Sequence, residues 1–307
     1  MTCFLPEGRL IQKPENLSAM QSPAALMQAC ENRQILEARA ILCDFAHNLT
    51  VDLGCMKGHI ARDEGAVGIA DGSVRDIALI SRVNKPVSFI VTGFRSDENN
   101  VQTAVCSRRA AQEQAMKEYI FHLKSGDVIE ARVTHLEPFG AFCDIGCGLA
   151  SLIPIDMISV SRISHPSDRF TPGDDIRAVV RAVEPDGRVS LTHKELLGTW
   201  EENAAQFNPG ETVSGIIRSV EDYGVFVELS PNLAGLAEPF EKAKPGLNAS
   251  VFIKSIIPEK MKVKLIVIDA FEAKYSKAPL RYYFEGSHMD SFTYSPRSSD
   301  KLIETVF

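Results

Sequence analysis

Gly126-Asp127-Val128-Ile129-Glu130-Ala131-Arg132-Val133 and, further along, Gly210-Glu211-Thr212-Val213-Ser214-Gly215-Ile216-Ile217 are two copies of one pattern. The match continues from Leu136-Glu137-Pro138-Phe139-Gly140-Ala141-Phe142 to Val220-Glu221-Asp222-Tyr223-Gly224-Val225-Phe226, then through Leu152 to Leu236, at one spacing and without a gap. A constant register over that length marks a duplication, which has to be recognised before any fold is assigned. Pro172-Gly173 matches Pro245-Gly246 at a shorter spacing, so the second copy lacks part of the long connection represented by Ile158 to Phe170 in the first.

Each copy reads as short strands rich in β-branched and apolar residues. In the first these are Val128 to Leu136, Gly140 to Ile145, Ile176 to Val183 and Val189 to Thr192, with the turn sequence Pro185-Asp186-Gly187 between the last two. In the second they are Val213 to Val220, Val225 to Leu229, Ser250 to Ile257 and Lys262 to Ile268, with Pro258-Glu259-Lys260 in the turn position. Several short strands in about 60–75 residues predict a small closed β-barrel rather than a sandwich or βαβ unit. A fainter third copy lies upstream. Ile35 to Ala40 mirrors Val128 to Val133 and Thr50 to Gly54 mirrors Phe142 to Gly146, with Val74 to Val83, Val87 to Phe94 and Val101 to Cys106 expected as its later strands.

Between the copies, Arg108 to His122 is rich in Ala, Gln, Glu and Lys without Gly or Pro and predicts a linker helix. Glu195 to Phe207, holding the only tryptophan, Trp200, predicts a shorter one. The N-terminal stretch shows little periodicity and is expected to be a loose arm. The tail from Ala273 carries Tyr275, Tyr282, Tyr283 and Tyr294, too aromatic for a free end, and is expected to pack on the last barrel. The expected division is an arm (1–28), a degenerate repeat (29–110), a linker helix (111–123), a repeat (124–195), a second linker helix (196–208), a repeat (209–270) and an aromatic tail (271–307).

Composition narrows the function classes. Of the 307 residues, 45% are hydrophobic and 24% charged, which suits packed soluble domains and argues against disorder, collagen or coiled coil. No apolar run reaches the ~20 residues of a membrane span, and Met1 to Glu7 lacks the basic-then-apolar pattern of a secretory signal, so a cytoplasmic protein without a membrane partner is expected. A formal net charge of −7 excludes a uniformly basic coat but not local basic edges. The seven cysteines include no Cys-x-x-Cys pair, and with no nearby histidine pair to complete a zinc set they read as reduced thiols. Histidines His59, His122, His135, His165, His193 and His288 form no metal or catalytic motif, and their plain reading is solvent-exposed or satisfied in a core. Gly65-Ala66-Val67-Gly68 lacks the Lys-Ser/Thr of a phosphate loop, and no Gly-x-Ser-x-Gly elbow occurs. No enzyme, cofactor or metal site is expected.

The remaining chemistry lies in Phe139-Gly140-Ala141-Phe142 and Tyr223-Gly224-Val225-Phe226. Aromatics three apart across a glycine that opens a strand can project onto one outer face, and rings on an open face stack unpaired bases. Strand aromatics are usually core, but recurrence of the unit at the same barrel position favours the outward reading.

With these residues in view, the chain resembles the S1 RNA-binding domain family, named for the large RNA-binding protein of the bacterial small ribosomal subunit. The resemblance rests on Gly126-x-Val128 through Phe139-Gly140-Ala141-Phe142, Leu152, Pro172-Gly173-x-x-Ile176 and Gly187-Arg188-Val189-Ser190-Leu191, and on Lys194 to Asn203, which is similar to the short multi-repeat members from Gram-positive bacteria. It is strong over about 124–270 and weaker over 30–110. It implies a mainly β architecture of tandem five-stranded oligonucleotide-binding (OB-fold) barrels joined by short helices, and single-stranded RNA, messenger RNA at the small subunit, as partner.

The resemblance also assigns an RNA site: paired aromatics, a histidine after the third strand, and an acidic and a basic residue near the last turn. In the middle repeat these fall on Phe139, Phe142, Glu184 and Arg188, with Pro154 in the histidine position. In the last they fall on Tyr223, Phe226 and Lys262, with Glu238 in the histidine position and Pro258 in the acidic one. Glu238 would repel phosphate unless it pairs locally. In the first repeat His47 and Thr50 stand where the rings would be. The platform is therefore expected to be absent there, and that repeat is expected to dock small-subunit proteins, a damaged RNA site being the alternative.

Residues 124–195 carry eight Lys/Arg against eleven Asp/Glu, and 209–270 seven against eight, so attraction to RNA depends on clustering. Arg162, Arg169, Arg177, Arg181 and Arg188 could border the Phe139 face, and Arg218, Lys254, Lys262 and Lys264 the Tyr223 face. A protein-interaction scaffold, or a regulator of RNA decay or stress acting away from the ribosome, are the rival readings.

Overall fold

The computed structural model describes residues 4–98, 100–273 and 280–307. Cys3 and Tyr275 lie outside them. Three closed barrels follow one another with identical topology. The first is built from β1 (Ile35–Cys43), β2 (Leu49–Asp52), β3 (Lys57–Ile60), β4 (Pro86–Ser96) and β5 (Gln102–Ser107). The middle one uses β6 (Val128–Glu137), β7 (Gly140–Asp144), β8 (Ala150–Pro154), β9 (Asp175–Val183) and β10 (Val189–Thr192). The last uses β11 (Thr212–Glu221), β12 (Gly224–Ser230), β13 (Leu233–Ala237), β14 (Asn248–Ile257) and β15 (Lys262–Phe271).

In each barrel the first strand pairs antiparallel with the second and the fourth, and the third closes against the fifth in parallel. This is the oligonucleotide-binding barrel order. Each first strand carries one bulge at the equivalent place, Ala40/Leu42, Val133/His135 and Ile217/Ser219. The extra residue bends the strand sharply enough to serve two neighbours around a small barrel. Inward positions are filled by small and branched apolar side chains such as Ala131, Val133, Ala141 and Ile153, or Ile217, Val225, Val251 and Leu265.

Several local expectations are corrected. Val74 to Val83 is not a strand: its apolar residues Val74, Ile77 and Ile80 recur every three, and the segment forms a short helix, Ile77–Ile80, tied to the barrel by Arg62 on Asp76 at 2.7 Å. The third strand is Lys57–Ile60 instead. The second linker is broken at Gly198 (φ 88°) into a 3-10 turn, Lys194–Leu197, and a helix, Trp200–Ala204, with a Thr199/Glu202 capping box.

The N-terminal arm is not loose. Pro14 and Pro23 start two short helices, Pro14–Ala19 and Pro23–Glu31, and the residues before them strap the first barrel to the middle one. Buried Glu7 accepts from Arg108 at 2.8 Å, Arg82 at 3.0 Å and the Ser88 amide at 3.0 Å, while its own amide donates to Asp144 at 2.7 Å. Glu37 takes the amides of Gly8, Leu10 and Ile11. Burial and the neighbouring Glu7 charge push Asp144 up to about 7.

The tail packs at the junction of the middle and last barrels rather than on the last barrel alone. Tyr282 accepts from the Arg177 amide at 3.1 Å, the Met289 amide donates to Gly126 at 2.9 Å, and Tyr294 donates to the Asn232 carbonyl at 2.6 Å. Asn232, fully buried, also accepts from Val160 and donates to Lys194 and Gly198. Beneath it the buried Glu228 carboxylate holds Arg169 at 2.6 Å and Arg218 at 2.7 Å.

His193, sealed between Phe170 and Tyr282, is pushed down to about 4 by burial. Its folded pKa lies below the ordinary histidine value near 6.5, so its contribution is whole above pH 6.5 and is lost as pH falls toward 4, up to roughly 3 kcal/mol. Thermal melts at pH 7.5 and 4.5 are expected to fall further for the wild type than for His193→Gln; equal falls would exonerate this imidazole.

Candidate nucleic-acid interface

In the middle and last barrels the hairpin that opens the second strand crosses close over the third. A Cβ on Gly140 would lie 2.5 Å from the Ile153 carbonyl oxygen, and one on Gly224 would lie 2.4 Å from that of Ala237. No side chain fits there, which is why glycine divides the aromatic pair. The residue before the glycine is at the hairpin tip and the residue two after it is on the outer face of the strand. Phe139 is accordingly 56% exposed and Tyr223 67%, while Phe142 and Phe226 are half-buried beside them. Each pair meets edge to face, with centroids 5.9 Å apart at 87° for Phe139 and Phe142, and 6.2 Å at 89° for Tyr223 and Phe226. That arrangement leaves a ring face open on each of these two barrels.

In the middle barrel a third ring joins the pair. His135 lies 6.2 Å from Phe142 at 30°, and its Nε2 meets Glu137 at 2.6 Å. From sequence His135 reads as solvent-exposed or satisfied in a core, but it occupies the bulge directly opposite Phe142 in the β6–β7 register. Phe142 pairs with Leu152 and Leu152 with Ser190, two residues beyond Arg188. Arg188 is exposed and its guanidinium turns to Asp186 at 2.7 Å rather than to Glu184. Glu184 closes the turn through its main chain, its amide donating to the Arg188 carbonyl at 2.8 Å. No direct contact among the described residues joins Glu184 or Arg188 to the rings. An ion pair this exposed contributes little and leaves the arginine open to phosphate.

In the last barrel the assigned residues converge. Tyr223, Phe226, Leu236, Glu238, Lys254, Lys262 and Lys264 line one groove of about 600 Å³. The strand register gives the reason: Phe226 pairs with Leu236, Leu236 with Lys264, and Lys262 is the next outward residue of β15. Lys262 and Lys264 make no ion pair among the described residues. Glu238 does pair locally, its Oε1 lying 3.8 Å from Lys254 Nζ.

The first barrel lacks the ring pair at the expected positions. His47, at φ 63°, is held by Asp76 at 3.3 Å, and Thr50 pairs with His59. Its hairpin tip nevertheless carries Phe45, 99% exposed, and Leu42, Ile77 and Ile80 are exposed on the same barrel unit. Phe45 was missed because the turn here is one residue longer, which moves the ring off the aligned position.

Half of the arginine cluster is structural. Arg169 and Arg218 are buried on Glu228, and Arg177 donates to the Phe284 carbonyl at 2.5 Å and the Gly286 carbonyl at 2.7 Å. Arg181 remains exposed on the middle barrel, at the bulge equivalent to Lys254. The six described cysteines are free. Among the described residues no cluster of three or more His, Cys, Asp or Glu could hold a metal ion, and no helix is long and apolar enough to cross a membrane.

Residues 122–194 match the family model of the S1 RNA binding domain. The chain is 26% identical over 322 residues to small ribosomal subunit protein bS1 of Staphylococcus aureus (strain COL), covering 96% of this chain and 78% of that protein. It is 35% identical over 245 residues to small ribosomal subunit protein bS1 of Leuconostoc lactis, covering 76% of this chain and 56% of the relative. A crystal structure of a multidomain protein with nucleic acid binding domains from Streptococcus pneumoniae covers 76% of this chain and 73% of its own at 14% identity, with a TM-score of 0.26, too low to support a structural inference.

Proposed function

We propose that this chain, whose middle barrel is an S1 RNA-binding domain, is a non-catalytic cytoplasmic protein that holds single-stranded messenger RNA at the small ribosomal subunit. The observation that carries this reading is the open groove of the last barrel, where Tyr223 and Phe226 flank Lys262, together with the repetition of the ring pair as Phe139 and Phe142. Stacking supplies sequence-tolerant attraction of ~1–3 kcal/mol per base, and the lysines, with Arg188 and Arg181, meet phosphates. Few cations face each site, so the salt dependence is modest. The two bS1 relatives support the ribosomal setting.

The first barrel is assigned a different task. Its outer face replaces the rings and lysines by Thr50, His59 and Val105, while Leu42, Phe45, Ile77 and Ile80 stand exposed. Exposed apolar side chains without the paired rings fit a protein of the small subunit better than RNA, even with the Arg95 charge felt at His59. Sucrose-gradient sedimentation with purified small subunits tests the reading: the chain is expected to travel with them and to carry a labelled unstructured RNA. Sedimentation apart from the subunits while still bound to RNA would favour a role in RNA decay. Partners retained unchanged after nuclease, with no RNA bound, would favour a scaffold.

A further inference from the structure

The groove of the last barrel holds a carboxylate where its middle counterpart holds Pro154. Glu238 directly follows the strand β13, lines the groove with both rings, and is 78% exposed. Among the described residues only its Oε1 has a partner, the loosely held Lys254 ammonium at 3.8 Å. Lys254 offsets the negative charge, and Lys262 and Lys264 sit along the neighbouring strand, so a phosphate backbone can approach despite the carboxylate.

A carboxylate only accepts hydrogen bonds. Of the four bases, guanine alone presents two adjacent donors, N1–H and the N2 amino group, on its pairing edge, and these match the two oxygens of a carboxylate. Adenine and cytosine each offer one amino donor beside a ring-nitrogen acceptor, and uracil one N–H between two carbonyls. In each case an acceptor would face the carboxylate. Glu238 shares the groove with Tyr223 and Phe226, and bases stacked on aromatic side chains are read by hydrogen bonds on their pairing edges.

We propose that the last barrel selects guanine, Glu238 taking its N1–H and N2–H while Tyr223 and Phe226 stack the ring and Lys262 and Lys264 hold the flanking phosphates. This rests on the RNA-binding reading of the groove. The middle barrel, with Pro154 at the same place, binds without that preference.

The test uses the full chain and fluorescence anisotropy with three labelled ten-residue RNAs: all uridine, uridine with one central guanosine, and uridine with one central adenosine. The guanosine strand is expected to bind about ten-fold more tightly than either of the others, as a two-bond contact allows. Glu238→Gln is expected to bring the three within two-fold while binding the all-uridine strand no more weakly than wild type. Equal wild-type affinities, or a gap that survives Glu238→Gln, would overturn the proposal. Tyr223→Ala should weaken all three strands, and unchanged affinity for all of them would sink the groove reading itself.

Discussion

A chain carrying Phe139→Ala and Tyr223→Ala together is expected to bind an unstructured RNA at least 30-fold more weakly than wild type. At ~1–3 kcal/mol per stacked base, two lost rings remove roughly 2–6 kcal/mol, and every 1.4 kcal/mol is ten-fold. Both side chains stand largely in solvent, so the barrels stay folded and the loss reports on binding alone. Titration of a labelled RNA long enough to reach both barrels measures it. A salt series adds a second reading: the slope of log affinity against log salt should stay as it was, since no cation has been removed. Unchanged affinity would eliminate the rings as the RNA contact.

Glu7→Ala is expected to destabilise the protein by about 3–5 kcal/mol, the cost of leaving a buried ion pair half-made. The substitution strands Arg108, whose side chain is only 4% exposed, and frees Arg82 and the Ser88 amide. Burial by itself would raise the Glu7 pKa, but the Arg108 and Arg82 charges outweigh it and hold the carboxyl below its ordinary value. Glu7→Met combined with Arg108→Met should recover part of the loss, because the most deeply buried guanidinium is then gone and Arg82, 23% exposed, keeps some access to water. Scanning calorimetry would show the single variant as an earlier transition. A shift smaller than that of an average surface substitution would mean that Arg108 reaches water.

The duplication made the fold legible. Register between Gly126 and Leu152 and between Gly210 and Leu236 requires two copies of one unit, and alternation along Lys262-Val263-Lys264-Leu265 gives its period and its inner face. The ring positions were legible for the same reason, since a residue beside a glycine that must clear a neighbouring carbonyl has only one way to point. Partners of charged residues were not legible. Arg169 and Arg218 look like any surface arginines until Glu228, 59 and 10 residues away, is brought beneath them. The arm failed for a related reason: its stability comes from Arg108 and Asp144 on other elements, and a segment held by distant partners shows no periodicity of its own. Phe45 and His135 were hidden by alignment. One lies in a turn of different length and the other on a bulge, where counting along the chain and counting across the sheet disagree.

The strap has a consequence for biosynthesis. The Glu7 amide bonds to Asp144, a partner 137 residues later in the chain. At about 5–20 residues per second, the N-terminal segment emerges on the order of ten seconds before its seat exists. During that interval the nascent first barrel closes on its own strands, and the Glu37 carboxylate can already take the amides of Gly8, Leu10 and Ile11, while Asp144 is the partner still to come. Docking of the two barrels is therefore a late event in synthesis, timed by the exit of Asp144 from the tunnel rather than by the folding of either barrel.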